Sequence, residues 1–501
     1  MCPASGAAEG RFVVCMYKPK RFSNSMQQDI VLLVVLIGVL MGAIDTTIVI
    51  LALPNMTQAL HSDFFTTIWA ILGYLLVLAA FTTQLGRLGD IFGRGKMFNL
   101  GLGVFTLGSA LCGFSPTATW LIVFRIVQAL GGALVQANSS AIIADTFEKE
   151  RLGRAFGYTT VGWNLGGAIG IVLGGALTTF FGWQFIFLIN VPIGIIALAM
   201  GLRFIRDNPK LPGRIGIPSV VGLAGILSLI SAGAIDVAAY GGNYLDVFMI
   251  AFGIFLIPFY IAYERHSKSP TINMSVFNNN RILTYSLLAA FLQSIGYLAI
   301  LFVLTLYLQG VRGMSPLNAA LLLLPGYVVS GLLSPYMGKL SDRLGARIVA
   351  TAGIALMCAA VLIYFTLGAG SPFYVVVAAS ILSGFGGAMF WPANTSAVME
   401  HTTRELYGAT SGLLRMLNSV GTIFSYSLII SIASISVPRE VAFQVFLGTS
   451  VVGGIPPSFL DGVHAAFAFS LVVLVIAGVL SAARGRAHIG AGSGRRDGRR
   501  P

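Results

Sequence analysis

Apolar runs of about 20 residues follow one another through almost the whole chain, and that alone narrows the fold to one built inside a bilayer. A helix needs about 20 mostly apolar residues to cross the hydrocarbon core. Fourteen such runs are present, at roughly 30–51, 66–85, 98–114, 118–144, 155–180, 185–204, 217–239, 245–263, 283–309, 317–338, 347–368, 373–397, 407–434 and 463–483. Charged residues make up 10% of the 501 and the mean hydropathy is +0.85, whereas a soluble domain carries about a quarter charged residues. The expected class is an all-α membrane protein with fourteen transmembrane helices.

A formal charge of +13 would suit a nucleic-acid binder, but its distribution argues otherwise. With residue 1 in the cytoplasm and sides alternating at each run, all 31 Lys and Arg residues fall in inner segments except Arg125, Arg312, Arg415 and Arg439. Basic residues collect on the cytoplasmic side of membrane proteins. The charge therefore reports topology: a multi-pass protein of the cytoplasmic membrane, both termini inside, with no nucleic-acid partner.

Two polar turns sit between apolar runs. Gly86-Arg-Leu-Gly-Asp90-Ile-Phe-Gly93-Arg94 and Gly338-Lys-Leu-Ser-Asp342-Arg343-Leu-Gly345 share Gly, Leu, Asp and Gly at the same offsets. Asn138-Ser-Ser-Ala141 and Asn394-Thr-Ser-Ala397 repeat at nearly the same separation. A duplicated unit of this size implies two homologous bundles facing each other, the architecture of a secondary transporter. The expected organisation is a disordered cytoplasmic tail (1–28), a six-helix bundle (29–204), linkers with an inserted two-helix hairpin (205–281), a second six-helix bundle (282–483) and a basic cytoplasmic tail (484–501). An outer loop at 438–447 has the pattern of a short interfacial helix.

Ions inside apolar runs are the strongest chemical signal. Asp45 lies within Ala43-Ile-Asp45-Thr-Thr-Ile-Val-Ile-Leu-Ala-Leu-Pro54, where a carboxylate must be paired, protonated or wetted. Such a group can load and release a proton as its surroundings change; the plainer alternative is an acid that ties helix ends together. Arg125 is the expected partner, with Gln128 one turn on. Arg415 and Asn418 hold the same spacing in the second half. In the turns, Asp90 and Asp342 can accept from a helix N-terminus, and Arg94 and Arg343 can bridge to neighbouring helices. With Gly86, Gly93 and Gly338 they are read as conformational gates. Gly166, Gly170, Gly174 and Gly175 form a small-residue face for close helix contact. Tyr74, Trp163, Asn164, Gln293, Tyr297, Trp391, Arg415 and Asn418 are candidate substrate-cavity residues, and with no acid cluster among them the substrate is expected to be mostly apolar.

These motifs resemble the major facilitator superfamily, and within it the fourteen-span drug:proton antiporter branch (EmrB/QacA type). The turn at 86–96 resembles the superfamily's loop motif. Residues 43–54 resemble the branch's first-helix signature, with Ile50 where Asn is usual. The Arg125 segment resembles a fourth-helix motif whose Arg is implicated in proton transfer, and Trp183–Gly194 is close to the branch pattern. The fifth-helix antiporter motif departs: Ile171 follows Gly170 where the family has proline. The resemblance implies a major facilitator fold, alternating access by rocking of two bundles, and proton-coupled export of hydrophobic or amphipathic compounds. A proton symporter, a facilitator, a lipid or metabolite transporter and a non-transporting sensor are the alternatives.

An enzyme is not expected. The histidines (His61, His266, His401, His464 and His488) are scattered without metal-ligand spacing, and no phosphate-binding loop is present. No cofactor is expected; the energy source is a proton gradient. The expected partners are the lipid bilayer, protons and a small amphipathic substrate, for a protein that functions as a monomer.

Overall fold

Within a bilayer the backbone of an apolar segment must satisfy its own N–H and C=O groups, so crossing segments become helices. The computed structural model describes residues 25–62, 64–148, 151–205, 207, 216–267, 277, 280–314, 316–403, 406–436 and 459–485. The helices in chain order are α1 (Ser25–Ala59), α2 (Phe64–Phe92), α3 (Arg94–Gly113), α4 (Ala118–Thr146), α5 (Leu152–Phe180), α6 (Phe185–Leu188), α7 (Asn190–Phe204), α8 (Ile217–Tyr240), α9 (Tyr244–His266), α10 (Arg281–Leu306), α11 (Pro316–Leu344), α12 (Ala346–Tyr364), α13 (Phe373–Glu400), α14 (Tyr407–Ser436) and α15 (Phe459–Ala483). Most of both tails, parts of the two linkers around α8 and α9, and the 438–447 segment lie outside the described residues.

Among the described residues, eleven helical segments are long and apolar enough to cross a membrane. The helices α3, α10 and α14 are not among the eleven, although they have 20, 26 and 30 residues. Polar residues dilute α3, for instance Lys96 and Asn99. The helices depart from the sequence reading in two instructive places. The first helix begins at Ser25, inside the expected tail, and there Gln28 donates to the Thr146 carbonyl of α4 at 3.3 Å. The run at 185–204 is interrupted at Ile189, because Pro192 lacks the N–H that would bond back to the Leu188 carbonyl.

The helices fall into two sets with the same packing. In the first, α1 packs along α5, α2 and α3 along α4, and α7 against α1 and α3. In the second, α10 packs along α14, α11 and α12 along α13, and α15 against α10 and α12. The sets meet through α5 on α11 and α14 on α2, the same pair with the sets exchanged. The hairpin α8–α9 rests on this arrangement, with α8 against both α2 and α14 and α9 against α8. Phe248, Phe252, Phe255 and Phe259 of α9 stack along its exposed side, as lipid-facing residues do.

The repeated glycine of the charged turns has a conformational cause. Gly93 and Gly345 precede the first residues of α3 and α12 with φ of 114° and 87°. Only glycine adopts that region without a steric penalty, so each chain reverses sharply between two antiparallel helices. Asp207 lies against Gly93 and accepts from the Lys96 N–H at 3.1 Å, satisfying one of the donors at the start of α3.

Candidate functional site

In the first set a ring of polar side chains closes around one carboxylate. Asp45 on α1 is fully buried, and Arg125 on α4 is 1% exposed. Arg125 Nη1 donates to Asp45 Oδ2 at 2.7 Å and to Gln128 Oε1 at 2.7 Å. Gln128 Nε2 donates in turn to Asp45 Oδ1 at 2.8 Å and to Ser109 Oγ on α3 at 2.7 Å. The guanidinium Nε donates to the Ala70 carbonyl of α2 at 2.9 Å, and its Cζ lies over the Tyr74 ring, 4.2 Å from the ring centre. Helix α4 is thus the hub: residues 125 and 128 share a face, and α1, α2 and α3 bring the acid, the carbonyl and ring, and the hydroxyl to it.

Burial gives this ring its chemical meaning. A lone ion in the membrane costs several kcal/mol, so both carboxylate oxygens are answered by donors and the guanidinium is shared among a carboxylate, an amide, a carbonyl and a ring. In this state the acid has no route to solvent. Protonating it would remove the charge that holds Arg125, leaving the guanidinium with Gln128, the Ala70 carbonyl and Tyr74. Arg415 and Asn418 are not the second-set equivalents of this pair, because they stand on α14 and not on α13, the match of α4; the Asn138/Asn394 match places Ile381 and Gly384 where α4 has Arg125 and Gln128.

At the end of the molecule that carries the two charged turns, the sets are latched twice. Asp90 of α2 accepts from the backbone N–H groups of Gly408 and Ala409, both at 2.9 Å, at the N-terminus of α14. Asp342 of α11 accepts from those of Gly153 at 2.9 Å and Arg154 at 3.2 Å, at the N-terminus of α5. A carboxylate at a helix N-terminus satisfies orphan donors and meets the positive end of the helix dipole. The approach depends on glycine: a Cβ on Gly86 would run into the Gly408 carbonyl, and one on Gly338 into the Gly153 carbonyl. Arg94 holds the first latch, pairing with Asp90 at 2.6 Å and with Asp145 of α4, and lying 5.5 Å from the centre of the Tyr407 ring. Arg343 is exposed and, among the described residues, has no side-chain partner.

The glycine face of α5 packs on α1 at the level of Asp45. A Cβ on Gly166 would sit 2.7 Å from the Ala43 Cβ, one on Gly170 2.9 Å from the Ile44 carbonyl oxygen, and one on Gly174 3.1 Å from the Ile48 carbonyl oxygen. The surroundings of Gly175 lie outside the described side chains. The candidate cavity residues divide. Tyr74 belongs to the Arg125 ring, and Gln293 is buried against Met357 within the second set. Tyr297 lies beside Ser383 in that set, and Trp391 packs edge-on to Phe390 at 5.3 Å. Asn164 bridges the sets, donating to Ser330 Oγ at 3.0 Å. Asn418 accepts from Ser294 Oγ on α10 at 3.1 Å. Among the described residues Trp163 and Arg415 have no side-chain partner, and neither is fully enclosed.

Residues that the sequence did not single out also matter. Ser109 and the Ala70 carbonyl complete the ring, and Asp145 completes the first latch. Arg484, just past α15, is 1% exposed. It donates to Asn394 Oδ1 at 3.1 Å, to Ser286 Oγ at 3.3 Å and to the Ala346 carbonyl. The signal for it is Ala346 itself, which stands where the first turn has Arg94.

A sequence model described as Major Facilitator Superfamily matches residues 35–426 and 287–488. The tetracenomycin C resistance and export protein of Streptomyces glaucescens is 31% identical over 395 residues, which cover 78% of this chain and 73% of that protein. The riboflavin transporter RibZ of Clostridioides difficile is 28% identical over 397 residues, covering 79% and 86%. The structure of the human organic anion transporter MFSD10 (TETRAN) superposes with a TM-score of 0.63 at 16% identity, covering 91% of this chain and 99% of that one.

Proposed function

This chain belongs to the major facilitator superfamily, and from that premise we propose that it is a proton-coupled exporter of hydrophobic or amphipathic compounds across the cytoplasmic membrane. The observation that carries the proposal is the sealed ring of Asp45, Arg125 and Gln128: an ionisable acid, buried in a span, whose cation partner among the described residues is on a different helix. Counting α6 and α7 as one crossing and adding α3, α10 and α14 gives fourteen crossings. That even number agrees with both termini lying inside.

The positive-inside argument makes the latched end cytoplasmic, so this state is closed to the cytoplasm. Asp45 takes a proton once the ring is reached from the outer side, and the loss of its charge frees Arg125. The two latches then break, the bundles rock, and Asp45 releases the proton to the cytoplasm as the next substrate binds. Protons move inward as substrate moves outward.

The test is transport in proteoliposomes with an imposed pH gradient and a panel of lipophilic cations, lipophilic acids and neutral amphiphiles. Substrate movement should follow the gradient in the wild-type protein. Asp45→Asn, locked in the uncharged form, should lose gradient-driven transport and keep passive exchange of substrate. A gradient that drives nothing, with Asp45→Asn matching wild type, sinks the mechanism. Substrate and protons moving in the same direction would favour the symporter reading, and substrate flux without protons the facilitator.

A further inference from the structure

On α14 a permanent cation lies within a helix, and no described residue answers it. Arg415 is half-buried and its Nε is enclosed without a hydrogen-bond partner. Among the described residues the guanidinium has no hydrogen bond, ion pair or ring contact, and no charged group acts on it. Arg125, by contrast, is engaged on every side. A guanidinium cannot shed its charge in a protein, so an unpaired one inside the membrane is costly unless something polar visits it.

The fold does not require a guanidinium at this point. Helices α5 and α14 play matching parts in the two sets. Gly153 and Gly408 donate their N–H groups to the two aspartates; Gly157 lies against Ser334 and Pro335, and Gly412 against Thr82 and Thr83; Gly166 and Gly421 lie against the Leu40 and Phe291 carbonyls. In that register Thr160 stands where α14 has Arg415, and Trp163 where it has Asn418. Thr160 merely returns its hydroxyl to the Phe156 carbonyl at 3.2 Å. The cation is an addition to one bundle.

Its direction follows from the helix period. Ser411, Arg415, Asn418 and Thr422 share one face of α14. That face lies between the one packed on α10, marked by Gly421, and the one packed on α2, marked by Gly408, Gly412 and Met416. It points away from Leu413, Val420 and Phe424. The Ser411 hydroxyl is also buried without a partner. On α5, Trp163 lies on the side away from the outward stripe of Leu165, Ile169 and Val172, yet is 39% exposed. Room therefore exists on the inner side of these helices, between the two sets.

We propose that Arg415 is the docking point for an acidic group, a carboxylate or a phenolate, on an otherwise apolar compound held between the bundles, with Ser411 and Asn418 beside it. This rests on the transport reading above and names its substrate class. A planar guanidinium accepts a carboxylate through two parallel hydrogen bonds, and its weak hydration makes it the suitable cation for a site that water leaves. The proton-handling acid is on α1 in the other set, so anion and proton have separate places.

The experiment measures binding of two fluorescent probes, 1-pyrenebutyrate and 1-pyrenebutanol, to the purified full-length protein in detergent, with empty micelles as reference. The wild type should bind the acid about tenfold more tightly than the alcohol. Arg415→Thr, which restores the residue of the matching position, should abolish that preference, so that acid and alcohol bind with similar affinity. Arg415→Lys, which keeps the charge and loses the fork, should retain part of it. A wild type with no preference for the acid, or a preference that survives in Arg415→Thr, overturns the proposal. If Arg415→Thr does not fold, an unchanged preference in Arg415→Lys overturns it. Flux of both probes in proteoliposomes separates the two readings. Transport of the alcohol with no preference for the acid removes the role of Arg415 and leaves the transporter; Arg415-dependent binding of the acid with no flux of either probe removes the transporter and leaves an acid-binding site.

Discussion

Arg125 acts through the shape of its head group as much as through its charge. One edge reaches Asp45 and Gln128 while Nε reaches the Ala70 carbonyl, a spread that a lysine ammonium cannot span. Arg125→Lys is therefore expected to keep a cation beside Asp45 but lose gradient-driven transport by about tenfold or more, with yield and melting temperature close to wild type; transport at wild-type rate would show that charge alone suffices. The acid and its cation were legible in the sequence because an ion in an apolar run is expensive and must have a purpose. Gln128 was legible because it lies one turn from Arg125 on the same face. Ser109 and the Ala70 carbonyl were not, since a serine or a backbone carbonyl within a span is ordinary until tertiary packing brings it to a charge. Arg484 looked like the first residue of a basic tail, and only its contacts with Ser286, Asn394 and Ala346 set it apart.

Glycine spacing decides how α5 meets its neighbours. Gly166 touches α1 so closely that a Cβ would overlap the Ala43 Cβ at 2.7 Å and the Leu40 carbonyl oxygen at 2.8 Å. The next residue, Gly167, would bring a Cβ only to 3.6 Å from Tyr327 Cε1 of α11, an ordinary contact. Overpacking a close contact costs about 1–3 kcal/mol. Gly166→Ala should lower the melting temperature and transport together, and Gly167→Ala should leave both near wild type; equal effects would mean that the α1–α5 contact is loose. The sequence disclosed a close-packing face but not its partner, because glycines four apart say nothing about which helix fills the groove. It also left the ends of the helices open, since α1 continues past its apolar part at both ends. Helix α5 runs unbroken through Ile171, the residue that supplies the backbone N–H a proline would remove.

Across the whole molecule the duplication was readable from the paired turns, whereas the crossing of the latches was not. A turn with an aspartate points to some helix N-terminus, and the nearest in sequence is that of α3 or α12. Instead each aspartate reaches the opposite set, Asp90 to α14 and Asp342 to α5, so both latches close one equilibrium between the sets. Free energies that act on the same equilibrium add, and populations then multiply. Removing the charge from a carboxylate at a helix N-terminus costs about 1 kcal/mol, or about a fivefold change in the ratio of closed to open molecules. Asp90→Asn and Asp342→Asn should each shift that ratio by about fivefold, and the double variant by about 25-fold, read as a distance distribution between spin labels on α2 and α11 at the latched end. A double variant no more open than either single one would mean that one latch alone sets the equilibrium, and the two bundles would then not be held as equal halves.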